Sequence, residues 1–201
     1  MKFAIISGST RKNSQSSKVA RYVKFYLESQ QQDTYFLNLA EQPIKHWNET
    51  FWNDYENFDP IWNIARKELQ TSDAIIVISP EWNGMCPPAL KNVFQLATKG
   101  EFANKPALII SVSASTNGVY PIAELRLNTY KNTYICYIPQ HVIVRNVNKV
   151  LNSFENSESE EDTSIRKRII YSVQLLKVYA EAFTNIRKND IVLSNTYPYG
   201  M

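Results

Sequence analysis

Four short, almost uninterrupted apolar runs decide what this 201-residue chain can fold into: Lys2–Ser7 (KFAIIS), Thr34–Asn38 (TYFLN), Ala74–Ser79 (AIIVIS) and Ala107–Ser113 (ALIISVS). They do not alternate apolar with polar residues, as a strand with one wet face does. Strands of this kind are covered on both faces, which points to a parallel sheet sandwiched between helices. A fifth run, Tyr134–Arg145 (YICYIPQHVIVR), carries Pro139, which cannot donate to a ladder. That run is expected at or near a sheet edge.

Between the runs the apolar period becomes helical. Val19, Val23 and Leu27 recur at four-residue spacing; Asp59-Pro60 reads as an N-cap and a first-turn proline; Leu90, Val93, Phe94 and Ala97 share one stripe. A weaker helix is expected over about 119–131 and a last one over about 164–187, with Glu155–Asp162 (ENSESEED) as a solvated acidic linker before it. The β-α alternation specifies a doubly wound α/β fold with right-handed crossovers. Five strands in this pattern favour the order 2-1-3-4-5, with helices on both faces. The whole chain, 1–201, is read as a single domain, since at this length a core can bury roughly 70% of the unfolded surface.

Bulk properties exclude several classes. A net charge of +3 is too small to signal nucleic-acid binding. No apolar run is long enough to span a membrane, and the opening MKFAIISGS is too short for a signal peptide's apolar segment. Cys86 and Cys136 stand alone, without C-x-x-C spacing, and suit free thiols in a reducing, cytoplasmic setting. His46 and His141 have no carboxylate or cysteine at ligand spacing, so no metal site is expected.

In this fold class ligands bind beyond the carboxyl ends of the strands, at the point where the strand order reverses. The loops after the first, third and fourth strands should meet there. The first, Gly8–Ser17 (GSTRKNSQSS), together with Ser7 holds six hydroxyl side chains in eleven residues. A helix N-terminus leaves amides unpaired and carries partial positive charge, so an anion is stabilised there. Ser9, Ser14 and Ser16 can donate to it, Arg11 can add a charge-assisted contact, and Gly8 would let the backbone approach closely. The same residues also read as a serine-rich cap and turn. The P-loop pattern and the G-x-G-x-x-G fingerprint are both absent, so a terminal monophosphate fits better than a nucleoside triphosphate or a wrapped pyrophosphate. FMN and pyridoxal phosphate are the main cofactors of that form; no lysine is marked for a Schiff base.

The second loop, Ser79–Asn92 (SPEWNGMCPPALKN), carries a resemblance. With the first loop it resembles the NAD(P)H-dependent FMN reductase family, flavodoxin-like quinone and azo-dye reductases marked by G-S-x-R-x-x-S and P-E-Y-N-G-x-x-P-G-x-L-K-N. Gly8, Ser9, Arg11 and Ser14 match the first motif. Pro80, Glu81, Asn83, Gly84, Pro87, Leu90, Lys91 and Asn92 match the second. Trp82 stands where the family has tyrosine, and Pro88 where it has glycine. The resemblance implies FMN as cofactor and NADPH or NADH as co-substrate. Hydride would pass to the flavin N5, followed by two-electron reduction of a quinone, an azo compound or free flavin. It places the phosphate at Ser9, Arg11, Ser14, Gln15 and Ser16, the ring along Pro80, Glu81, Trp82, Asn83 and Gly84, and the flavin edge along Ser113, Ala114, Ser115 and Gly118. It names no acid–base residue, because the cofactor carries the chemistry. It also implies a homodimer or homotetramer.

Three further segments are open to two readings each. Tyr120 and Arg126 either meet the nicotinamide nucleotide or are plain surface residues. His46–Trp62 holds six aromatic side chains in seventeen residues, either as a wall over a partner subunit's flavin or as a satellite cluster beneath a long loop. Cys86 is either a redox thiol or a small buried residue, and the second fits its neighbours better. The rival to an enzyme is a flavodoxin-like electron carrier, which is usually strongly acidic; this chain is mildly basic.

Overall fold

A computed structural model describes residues 1–194 and 196. Five parallel strands form one sheet in the order β2-β1-β3-β4-β5. They are β1 (Lys2–Ser7), β2 (Asp33–Asn38), β3 (Ala74–Pro80), β4 (Pro106–Val112) and β5 (Cys136–Val144). The helices are α1 (Gln15–Ser29), α2 (Thr50–Asn53), α3 (Pro60–Gln70), α4 (Pro88–Leu96), α5 (Lys99–Phe102), α6 (Tyr120–Asn128), α7 (Glu160–Ile186) and α8 (Asp190–Leu193).

The unbroken apolar runs have the expected cause. Alternate residues of each strand enter opposite cores. Phe3, Ile5, Ile76, Ile78 and Leu108 pack with α1 and α7. Ala4, Ile6, Ile75, Val77 and Ile109 pack with α3, α4 and α6. All of them are fully buried, each large one contributing about 1.5–3 kcal/mol. Pro139 lies on β5, an edge strand, and the β4–β5 register slips around it, from Ala107↔Tyr137 to Ile109↔His141.

Local sequence sets the helix starts. Ser14 caps α1, its hydroxyl accepting from the Ser17 N–H at 3.1 Å. Asp59 caps α3, one carboxylate oxygen accepting from Trp62 N–H at 2.9 Å and the other from Lys45 N–H at 2.7 Å. The acidic stretch before the last helix differs from the expected solvated linker. α7 starts at Glu160, and Asp162 is fully buried. Its carboxylate accepts from the Leu151 and Glu158 amides and pairs with buried Arg166 at 3.0 Å. A composition rich in Ser and Glu concealed one carboxylate that the fold surrounds with donors.

Candidate functional site

The loops after β1, β3 and β4 emerge at one end of the sheet, on its central strands. The first is fixed at Gly8, whose N–H donates to Ile78 O at 2.8 Å. A Cβ on Gly8 would stand 2.8 Å from Leu90 Cδ2 and 3.1 Å from Ile78 O. Glycine is therefore required by packing against α4, whereas the sequence suggested an approach to a ligand. Beyond it, Ser9 Oγ accepts from the Arg11 N–H at 3.3 Å, and Asn13 takes a positive φ of 53° to turn the chain into α1.

Three features of this loop are unspent. As in any helix, the first-turn amides of Gln15 and Ser16 have no intrahelical acceptor. The Ser16 hydroxyl is 1% exposed, and both it and Gln15 Oε1 are buried without a partner among the described residues. Arg11 is exposed, and its guanidinium has no partner there either. A buried orphan hydroxyl costs about 1–3 kcal/mol, and at a helix N-terminus an anion could offset that cost.

The second loop is a tight reversal. Trp82 and Met85 exchange backbone hydrogen bonds of 3.0 and 2.9 Å, with Asn83 and Gly84 at φ of 51° and 72° between them. Positive φ at both central positions marks a type I′ turn, for which Asn-Gly is the preferred pair. The turn uses the Trp82 amide. The amides of Asn83 and Gly84 make no hydrogen bond among the described residues. Of the ring-edge donors expected from this segment, these two remain available.

Glu81 joins the second loop to the third. Its N–H donates to Val112 O at 3.1 Å, and its carboxylate accepts from Gly118 N–H at 2.8 Å. The third loop is folded on itself: Ser113 Oγ lies 3.3 Å from Ser115 Oγ and accepts from the Ser115 N–H at 3.2 Å. Ser113 and Ser115 are thus engaged in shaping the loop, and the Ala114 amide is the one left open between them. The loop is tied in turn to the segment after β5, Asn146 N–H donating to Ser115 O and Val147 N–H to Ser113 O. That segment is anchored on α1 by Lys18, whose Nζ donates to Val147 O at 2.6 Å and Val150 O at 2.8 Å. The contacts close a ring around the end of the sheet.

Glu124 on α6 braces the exit of the second loop, accepting from Cys86 N–H at 2.6 Å and from Lys91 Nζ at 2.7 Å. Its burial alone would raise the carboxyl, but the Cys86 amide and the Lys91 cation outweigh it and hold it below the usual range. Burial pushes the Cys86 thiol up to about 12, so it stays protonated and is no redox nucleophile at neutral pH. Asn92, 2% exposed, accepts from Trp47 N–H and donates to Lys45 O, pinning the aromatic insert to α4. That insert largely turns inward: Phe51, Phe58 and Trp62 are buried, with Trp52 left 75% exposed. Arg126 differs from the suggested nucleotide contact, because its guanidinium donates to Ile138 O and Pro139 O. Tyr120 is 63% exposed beside Gly84. Sequence reasoning passed over Glu124 and Lys18, which carry no motif and act from other elements.

No group of three or more potential ligating side chains could hold a metal among the described residues, and none of the described helices is long and apolar enough to cross a membrane. The fold defines a flavodoxin-like protein whose loops after β1, β3 and β4 open at one end of the sheet. The profile of the NADPH-dependent FMN reductase family matches residues 1–149, and the chain belongs to that family. It is accordingly an NAD(P)H-dependent oxidoreductase with FMN as cofactor. An NADPH azoreductase of Bacillus sp. (strain OY1-2) is 25% identical over 193 residues, covering 94% of this chain and 97% of that protein. A quinone reductase of Pseudomonas putida is 30% identical over 122 residues, covering 57% of this chain and 61% of its own. Among solved structures, the flavoenzyme NAD(P)H:(acceptor) oxidoreductase FerB of Paracoccus denitrificans superposes with a TM-score of 0.63 at 20% identity, over 92% of this chain and 95% of that one.

Proposed function

We propose that Gly8–Ser17 holds the FMN phosphate through Ser9, Arg11, Ser14, Gln15 and Ser16. In this reading the ring lies between Pro80–Gly84 and Ser113–Gly118, and the acceptor reduced at the expense of NADPH or NADH is a quinone, an azo compound or free flavin. The observation that carries the reading is the orphaned, buried Ser16 hydroxyl at the α1 N-terminus, at the end of a loop that also carries exposed Arg11. Bound FMN supplies the two-electron redox chemistry.

The chain's own residues bind, orient and exclude water. Asn83, Gly84 and Ala114 offer free amides, which are fixed dipoles suited to a ring edge that gains negative charge. Glu81 sets the distance between the two loops that carry them. The nearby titratable side chains are already committed: Glu81 to Gly118, Glu124 to Cys86 and Lys91, and the Cys86 thiol to its neutral form. No acid or base is needed from them. Met85 and Tyr120, 50% and 63% exposed beside the turn, give the site an apolar rim suited to an aromatic acceptor or a second subunit. A homodimer or homotetramer and a cytoplasmic location belong to this same proposal.

Arg11→Ala tests it. Loss of a charge-assisted contact of roughly 1.5–3 kcal/mol lowers FMN affinity about ten- to a hundredfold in a flavin titration. The wild-type flavin band should bleach on anaerobic addition of NADPH. An unchanged FMN affinity in the variant excludes the phosphate assignment.

A further inference from the structure

After β5 the chain forms a strap, Asn146 to Leu151, that no sequence motif marks. Both of its ends are left-handed: φ is 46° at Asn146 and 58° at Leu151, a region that bulky residues avoid. Between them lies one short turn, Val147–Lys149. Such backbone persists only where its surroundings impose it. Here two charged side chains do so, one from each neighbouring helix. From α7, the buried Asp162 carboxylate accepts from the Leu151 N–H at 2.9 Å. From α1, Lys18 Nζ donates to Val147 O at 2.6 Å, to Val150 O at 2.8 Å and to Asn152 Oδ1 at 2.8 Å. All three ammonium hydrogens of Lys18 are thereby engaged on the strap and the residue that follows it.

The strap holds the third loop in turn. Asn146 N–H donates to Ser115 O at 3.0 Å and Val147 N–H to Ser113 O at 3.2 Å. These two bonds bracket Ala114, whose amide is free. At its other end Lys18 belongs to the first turn of α1, its own N–H donating at 3.1 Å to the carbonyl of Ser14, the helix cap. One side chain therefore reaches from the turn that ends the first loop to the strap that carries the third. The place is a costly one for a cation: burial draws the Lys18 amine below its usual value, while Asp162 and Glu158 pull it back. Helix α1 does not need this reach to stay on the sheet, since Val19, Val23 and Leu27 pack in the core and Gly8 N–H is bonded to Ile78 O. What Lys18 adds is a fixed distance between two loops that each carry unpaired donors.

We propose that Lys18 is a positioning residue for the flavin site: without touching the cofactor, it sets the span between the α1 N-terminus and the third loop, so that one molecule meets the first loop with its phosphate and the third with its ring edge. The proposal rests on the flavin reading of the first loop. A ligand that bridges two half-sites gains the effective concentration of its second contact, and that gain depends on the span; a ligand that reaches one half-site is indifferent to it. Supporting side chains must hold such a site to within about 0.5 Å. Loss of Lys18 leaves each half-site whole. The third loop keeps its Ser113–Ser115 contacts and the Glu81 clamp on Gly118, and the first keeps its Ser14 cap.

The test compares FMN with riboflavin, which keeps the ring and lacks the phosphate, by fluorescence titration of the wild type, Lys18→Met and Lys18→Arg. Lys18→Met keeps the aliphatic stem and removes the donors; Lys18→Arg keeps charge and donors. Thermal melting checks the fold of each, and if Lys18→Met melts too low to titrate, Lys18→Gln, with one donor amide, is read by the same comparison. The wild type should bind FMN about ten- to a hundredfold more tightly than riboflavin. Lys18→Met should lower FMN affinity roughly tenfold and leave riboflavin within about twofold, and Lys18→Arg should recover most of the loss. Equal losses for both flavins overturn the proposal, because a residue that merely supports the structure lowers both alike. Unchanged affinity for both in Lys18→Met overturns it as well. A wild type that binds the two flavins equally removes the phosphate reading of the first loop, and this proposal with it.

Discussion

The carboxylate of Glu81 and the backbone N–H of Gly118 are 2.8 Å apart, so a side chain from the loop after β3 holds the main chain of the loop after β4. The two loops also meet through Glu81 N–H and Val112 O at 3.1 Å. Glu81 thereby sets the width of the gap between the Asn83–Gly84 turn and the third loop. Its role is to position other groups. Glu81→Ala removes a charge-assisted bond worth about 1.5–3 kcal/mol, at the low end because the group is partly exposed. Melting should fall by about 3–6 °C, and FMN affinity should fall roughly tenfold as the gap loosens. Glu81→Gln keeps an acceptor oxygen and should recover most of both. Equal losses for Gln and Ala would mean that the negative charge matters and the clamp does not.

Cys86 gives a pH-dependent prediction. Its thiol is raised from about 9 to about 12, chiefly by burial. A folded-state value above the unfolded one stabilises the protein fully below pH 9, and that stability is lost as pH rises from 9 toward 12. Cys86→Ala should flatten part of the fall in unfolding free energy between pH 9 and 11, as read from urea titrations at each pH. At pH 8 the folded protein should also resist alkylation by iodoacetamide at this position while the unfolded chain reacts. Rapid native-state labelling of Cys86 would contradict its burial.

Much of the fold was legible in the sequence because the strands are buried on both faces and their apolar runs need no periodicity argument. The edge position of β5 followed from a single proline. The place of the first loop was legible too, since Ser9, Arg11 and Ser14 sit directly between β1 and α1, with Ser14 as the helix cap. What escaped lies in contacts across sequence distance. Glu81–Gly118, Glu124–Cys86, Asn92–Trp47 and Lys18–Val147 join residues between 37 and 129 positions apart. Nothing in local spacing announces such pairs. Asp162 escaped for another reason: its partners are close in sequence, but a run of Ser and Glu looks solvated, and only the fold brings the Leu151 and Glu158 amides and Arg166 around this one carboxylate. Gly8 shows the reverse, a residue rightly singled out whose reason is the packing of Leu90.

Gly118 is constrained in two independent ways, and they can be separated. Its φ of 114° is one that L-residues rarely adopt, and a Cβ there would lie 2.5 Å from Ile143 Cγ2. Backbone strain of this kind costs of order 1–3 kcal/mol, and overpacking typically another 1–3 kcal/mol. Gly118→Ala should therefore destabilise by about 2–6 kcal/mol, and because Glu81 reads the same amide, it should also impair FMN binding. Ile143→Ala removes the clashing methyl at the expense of a partly buried side chain. In the Gly118→Ala/Ile143→Ala double variant the steric share is relieved and the backbone share remains. The double variant should be less unstable than the sum of the two single variants by about 1–3 kcal/mol, measured as a coupling energy in denaturant unfolding. Strict additivity would show that φ alone dictates glycine here and that Ile143 moves aside freely.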